Sequence, residues 1–87
     1  VESNAYYSSS DIEKYVGVNT TTTKLIAGAT SEFITNFGAK ERKAWRFNRK
    51  EMFFIKFVSD HSRLLTRDGA ISEALEYFYG IDSRRDN

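Results

Sequence analysis

Between Lys40 and Lys50 the chain reads KERKAWRFNRK, six cations against the single acid Glu41, in a protein whose formal net charge is +1. Six minus one gives +5 for this segment, so all other residues together sum to −4. Positive charge gathered in this way points to a polyanionic partner, and nucleic-acid phosphates are the prime case. Trp45 and Phe47 alternate with Arg46 and Asn48, the period-two pattern of a strand with one face buried and the other turned toward a ligand. Lys40, Arg42, Lys43 and Arg46 are therefore the candidate phosphate contacts, and Arg49 and Lys50 extend the run.

A second constellation is Thr20-Thr21-Thr22-Thr23-Lys24. Four successive β-branched polar residues are a weak choice for helix stability alone. At a helix N-terminus, however, their hydroxyls and the free backbone N–H groups suit phosphates, and their methyl groups suit thymine. The helical phase predicts Thr20, Thr23 and Lys24 on roughly one side with Thr21 flanking, and Leu25 and Ile26 toward the core.

The elements that must position these residues follow from local signals. Ser8 to Asp11 supply N-caps for a short helix whose Ile12, Tyr15 and Val16 repeat at i, i+3 and i+4, and Gly17 ends it. After a turn of about three residues, Asn19 or Thr20 caps a second short helix that Gly28 closes. This is the spacing of a helix-turn-helix. Phe33 to Phe37 reads as a strand, although Thr30 to Phe33 also fits the start of a helical turn. The segment from Gly38 to Arg42 then connects to a return strand, Lys43 to Phe47, forming a β-hairpin with a basic tip. Asn48 and Glu51 form a capping box that opens the longest helix, Arg49 to about Leu65, with Phe54, Phe57, Val58, His61 and Leu65 on one face. A last helix runs from an Asp68 cap to Tyr79, with Ile71, Ala74, Leu75 and Phe78 at core spacing, and Gly80 stops it. The expected organisation is an extension at 1–7, one domain at 8–80 and a polar tail at 81–87. The fold class is mainly α with a small β-hairpin.

Taken in order, Asp11-Ile12, Gly17-Val18-Asn19-Thr20-Thr21-Thr22, Gly38, Trp45-Arg46-Phe47-Asn48-Arg49-Lys50-Glu51 and Ile55 resemble the winged helix-turn-helix of the MerR and excisionase type. The resemblance covers roughly Ser8 to Val58, and Trp45-Arg46-Phe47 matches the aromatic-Arg-aromatic wing signature best. It implies a recognition helix at Thr20 to Lys24 and a wing at Lys40 to Arg46, together binding double-stranded DNA. It further implies service in transcription regulation, plasmid or chromosome partition, or recombination control. A module of this size has a small footprint, so a homodimer or a cooperative array on DNA is expected. The alternative is a protein-interaction module, an adaptor or inhibitor that docks an acidic partner through the basic hairpin.

Other classes find little support. There is no cysteine, hence no disulfide framework and no thiolate metal site. His61 is the lone histidine and reads as a packing residue. No glycine-rich phosphate loop, nucleophile elbow or HExxH is present, so neither an enzyme nor a cofactor or metal site is expected. No apolar run approaches the roughly 18 residues of a membrane span, and the first ten residues lack signal-peptide character. The expected location is cytoplasmic, nucleoid-associated if bacterial. The chain opens on Val1, which is compatible with a longer native protein.

Overall fold

The computed structural model describes residues 6–35, 37–41 and 44–81. Four helices and one hairpin follow in the order α1 (Ser9–Val16), α2 (Thr20–Thr30), β1 (Ala39–Glu41), β2 (Ala44–Arg46), α3 (Arg49–His61) and α4 (Arg67–Tyr79). The mainly helical fold with a small antiparallel hairpin is therefore as the sequence predicts.

Helix ends obey the local rules. Ser8 and Asp11 form a capping box on α1, and Asn48 and Glu51 form the one expected on α3. Asn19 caps α2, its Oδ1 accepting from the Thr22 N–H at 2.8 Å. Gly17 and Gly80 end α1 and α4 at φ of 81° and 69°, a left-handed conformation that costs glycine little.

Several boundaries differ from expectation. Gly28 does not close α2, which runs on to Thr30. Glycine inside a helix costs only about 1 kcal/mol, and the extension beyond it buries Thr30 completely. Phe33 to Phe37 is not a strand: the N–H groups of Phe33 and Ile34 both donate to the Thr30 carbonyl, at 2.8 and 3.0 Å. The helical-turn alternative thus prevails, leaving Phe33 exposed while Phe37 is buried. The first hairpin strand is instead Ala39–Glu41. α3 ends at His61, four residues early, although Leu65 still donates to the His61 carbonyl in the turn beyond. α4 is capped by Thr66, not Asp68, because the Thr66 hydroxyl accepts from the Gly69 N–H at 3.0 Å. Tyr7 exchanges both backbone hydrogen bonds with Phe47, at 2.7 and 2.8 Å, an isolated antiparallel bridge just beyond β2.

α3 and α4 pack most extensively on one another, and α2 lies against both. Phe54, fully buried, is the hub: its ring lies 4.9 Å from Phe37 and 5.7 Å from both Phe78 and Tyr79. Phe37 meets Phe47 at 6.2 Å, and Trp45 stacks on Phe47 at 5.6 Å with an interplanar angle of 7°. One continuous set of rings thus joins the hairpin to the centre of the helical core. Among the described residues, no helix is long and apolar enough to cross a membrane.

Candidate nucleic-acid interface

The helix-turn-helix spacing is present: α1 and α2 are separated only by Gly17, Val18 and Asn19, and Val18 is buried in the turn. The phase of α2 differs from the sequence reading. Its buried stripe is Thr23, Ile26, Ala27 and Thr30, whereas Thr21, Lys24, Leu25 and Gly28 are exposed at i, i+3, i+4 and i+7. Thr23 is therefore no surface contact. It has 0% exposure, and the burial of Ile26 and Ala27 one turn later forces it inward. Leu25, expected in the core, is 52% exposed. Thr20 is half-buried at the first helical position.

Gly28 belongs to the open stripe. A Cβ built there would meet nothing within 4 Å, so no packing requirement explains a glycine in this helix interior. Thr23 and Thr30 carry the other anomaly, because neither buried hydroxyl has a hydrogen-bond partner among the described residues. Both features lower the stability of α2.

Strand register sorts the hairpin side chains. Lys40 pairs with Trp45, Ala39 with Arg46 and Glu41 with Ala44. Paired residues share a face and successive ones alternate, so Lys40 and Arg46 lie on opposite faces of the ribbon. Lys40 shares the inner face with the aromatic residues, its Nζ 5.4 Å from the Trp45 ring. Arg46 stands on the outer face between Ala39 and Ala44, all three exposed. Trp45 and Phe47 point inward while Arg46 and Asn48 are exposed, the alternation that the sequence predicts. Arg42 and Lys43 separate the strands and lie outside the described residues.

Besides the aromatic ring contacts, one side chain hydrogen-bonds the base of the hairpin to α3. Glu51 is 7% exposed; its Oε1 accepts from the Asn48 N–H and its Oε2 from the Gly38 N–H, both at 2.8 Å. The capping acid of α3 thereby also fixes the base of the hairpin. Gly38 has φ +70°, which favours glycine, and a Cβ there would also crowd Phe47 and Trp45 at 3.1 Å. Sequence reading finds the Asn48 half of this arrangement, which is local, and misses the Gly38 half, thirteen residues away.

Arg49 and Lys50 are exposed in the first turn of α3. Lys50 reaches across to α4, its Nζ 4.1 Å from the Tyr79 ring centroid. Burial, and next the Glu51 carboxylate, raise the Tyr79 phenol above its ordinary value. His61 stacks on Phe57 at 3.9 Å, and its Nδ1 lies 2.9 Å from the Phe57 carbonyl. A carbonyl can only accept, so Nδ1 carries the hydrogen. Among the described residues, no group of three His, Cys, Asp or Glu side chains is placed to hold a metal ion.

No family model, curated protein or solved structure matches the chain.

Proposed function

We propose that this chain is a sequence-selective binding domain for double-stranded DNA, working as a winged helix-turn-helix of the kind that its MerR- and excisionase-like signature implies. The observation that carries the reading is α2: a helix one tight turn after α1, buried on one stripe and open on the opposite one. That open stripe holds Thr21 and Lys24 near its start and a glycine that nothing in the fold requires. A glycine on an exposed helix face lets another backbone approach closely.

In this reading Thr21, with Thr20 and Lys24, meets base edges and phosphates in the major groove, and Leu25 offers apolar contact to thymine methyl groups. Arg46 on the outer hairpin face, with Lys40, Arg42 and Lys43, neutralises the flanking backbone or enters the minor groove. Arg49 and Lys50 add charge from α3. Two copies, or a cooperative array on repeated half-sites, would raise the small footprint to useful affinity. Transcription regulation, DNA partition and recombination control are the processes that such binding serves.

The test is fluorescence anisotropy with a pool of labelled duplexes at about 50 and about 200 mM salt. Some three to five phosphate contacts, each adding about −0.9 to the slope of log affinity against log salt, predict a steep fall. Arg46→Glu should remove binding with the fold intact, and Thr21→Ala should relax sequence preference more than it lowers non-specific affinity. No binding at the lower salt would overturn the reading.

A further inference from the structure

Away from α2 and the hairpin, a cleft of about 360 Å³ opens between the Tyr7 segment, α1 and the start of α3, lined by Tyr7, Tyr15, Val16, Arg49, Met52 and Phe53. Its size falls at the lower end of ligand clefts, which run about 300–1,000 Å³. Tyr7 and Tyr15 meet edge to face at 5.9 Å, and Tyr7 is held in place through its backbone pairing with Phe47. The walls are thus fixed by the bridge from Tyr7 to Phe47 and two helices. Yet Tyr15 is 60% and Phe53 45% exposed. Two exposed aromatic side chains lining one cleft are unusual on a surface that has no partner.

Electrostatics select the partner. Arg49 lines the cleft, and the Lys14 Nζ stands 5.8 Å from the Tyr15 ring. Among the described residues, none of the lining side chains is acidic. Asp11, the acid one helical turn before Tyr15, is engaged with the Ser8 N–H at 3.0 Å. Apolar walls of Val16, Met52 and Phe53 suit a bulky hydrophobic side chain, and the two cations suit carboxylates on either side of it. The perpendicular tyrosine rings offer no parallel platform on which successive bases could stack. We propose that this cleft docks an acidic peptide segment of a partner protein, with one large apolar side chain seated between Tyr15 and Phe53 and flanking carboxylates paired to Arg49 and Lys14. The site shares Arg49 with the proposed DNA surface but rests on its own lining, and the inference does not depend on DNA binding.

The test uses the whole chain, isotope-labelled, with fluorescein-tagged peptides about a dozen residues long in which one Phe, Leu or Trp is flanked by Glu and Asp. Twin peptides carry Lys in place of the acids. Acidic peptides should bind and shift the amide resonances of Tyr15, Val16, Met52 and Phe53, and the Lys twins should not. Tyr15→Ser and Phe53→Ser should each weaken binding roughly tenfold or more, as expected for central anchors. Both side chains are exposed enough for the fold to survive, which circular dichroism checks. The proposal fails if no acidic peptide binds, if the Lys twins bind equally well, or if the shifts fall elsewhere. It also fails if an oligothymidine shifts these amides while the peptides do not.

Discussion

α2 and α3 differ in how their sequences support them. α3 has a complete capping box, a first-turn acid that also holds the hairpin, and a buried face of Met52, Phe54, Ile55 and Val58. α2 opens with four threonines, buries two hydroxyls that have no partner among the described residues and carries an exposed glycine in its interior. Local preference and packing agree in α3 and conflict in α2, and such conflict is expected where a surface is kept for something other than stability. The helix with the weaker internal support is the one that presents the candidate recognition stripe.

The contrast can be broken most forcefully at Glu51. Glu51→Ala leaves the Gly38 and Asn48 N–H groups without their carboxylate, and hydrogen bonds to charged groups contribute about 1.5–3 kcal/mol each. Chemical denaturation should show a loss of about 3 kcal/mol or more, with amide exchange accelerated at Gly38 and in the first turn of α3. A loss below 1 kcal/mol, on the scale of an ordinary cap, would mean that the hairpin is held by its aromatic contacts alone.

In α2 the expected sign is opposite. Thr23→Val replaces an unpartnered buried hydroxyl by a methyl group of similar shape, so stability should rise by about 1 kcal/mol while DNA affinity stays unchanged. A fall in DNA affinity with stability constant would return Thr23 to the surface role that its sequence position suggests. Gly28→Ala should add about 0.5–1 kcal/mol, because a Cβ there enters open space and helical alanine is favoured over glycine. If α2 docks closely on DNA, the same substitution weakens binding, so one variant separates stability from recognition.

The smallest effect concerns pH. The Tyr79 phenol is raised in the folded state by burial and then by Glu51. Its contribution is therefore fully present below the unfolded value of about 10 and is lost as pH rises through the folded one. Stability should decline above about pH 10, and Tyr79→Phe should flatten that decline in denaturation curves recorded across the range.

Much of this architecture is legible because it is local. Ser8, Asn19 and Asn48 cap through contacts three residues away, Gly17 and Gly80 stop helices through their own backbone angles, and the alternation from Trp45 to Asn48 reports burial residue by residue. The candidate site is half legible: Thr21, Lys24, Lys40 and Arg46 are exposed as the sequence suggests, Thr23 is not, and Leu25 and Gly28 join the open stripe unannounced. With threonine on several sides of α2, the amphipathic pattern leaves the helix phase undetermined, and only the packing of Ile26 and Ala27 against the other helices settles it. By itself, then, the sequence determined the four helices, the caps at Ser8, Asn19 and Asn48, and the return strand of the hairpin. Tertiary structure decided the outward face of α2, the bridge from Tyr7 to Phe47, the opposite faces of Lys40 and Arg46, and the Glu51 link to Gly38. The physical reason is range: a cap is completed within one helical turn, whereas burial and strand register depend on partners that are distant along the chain.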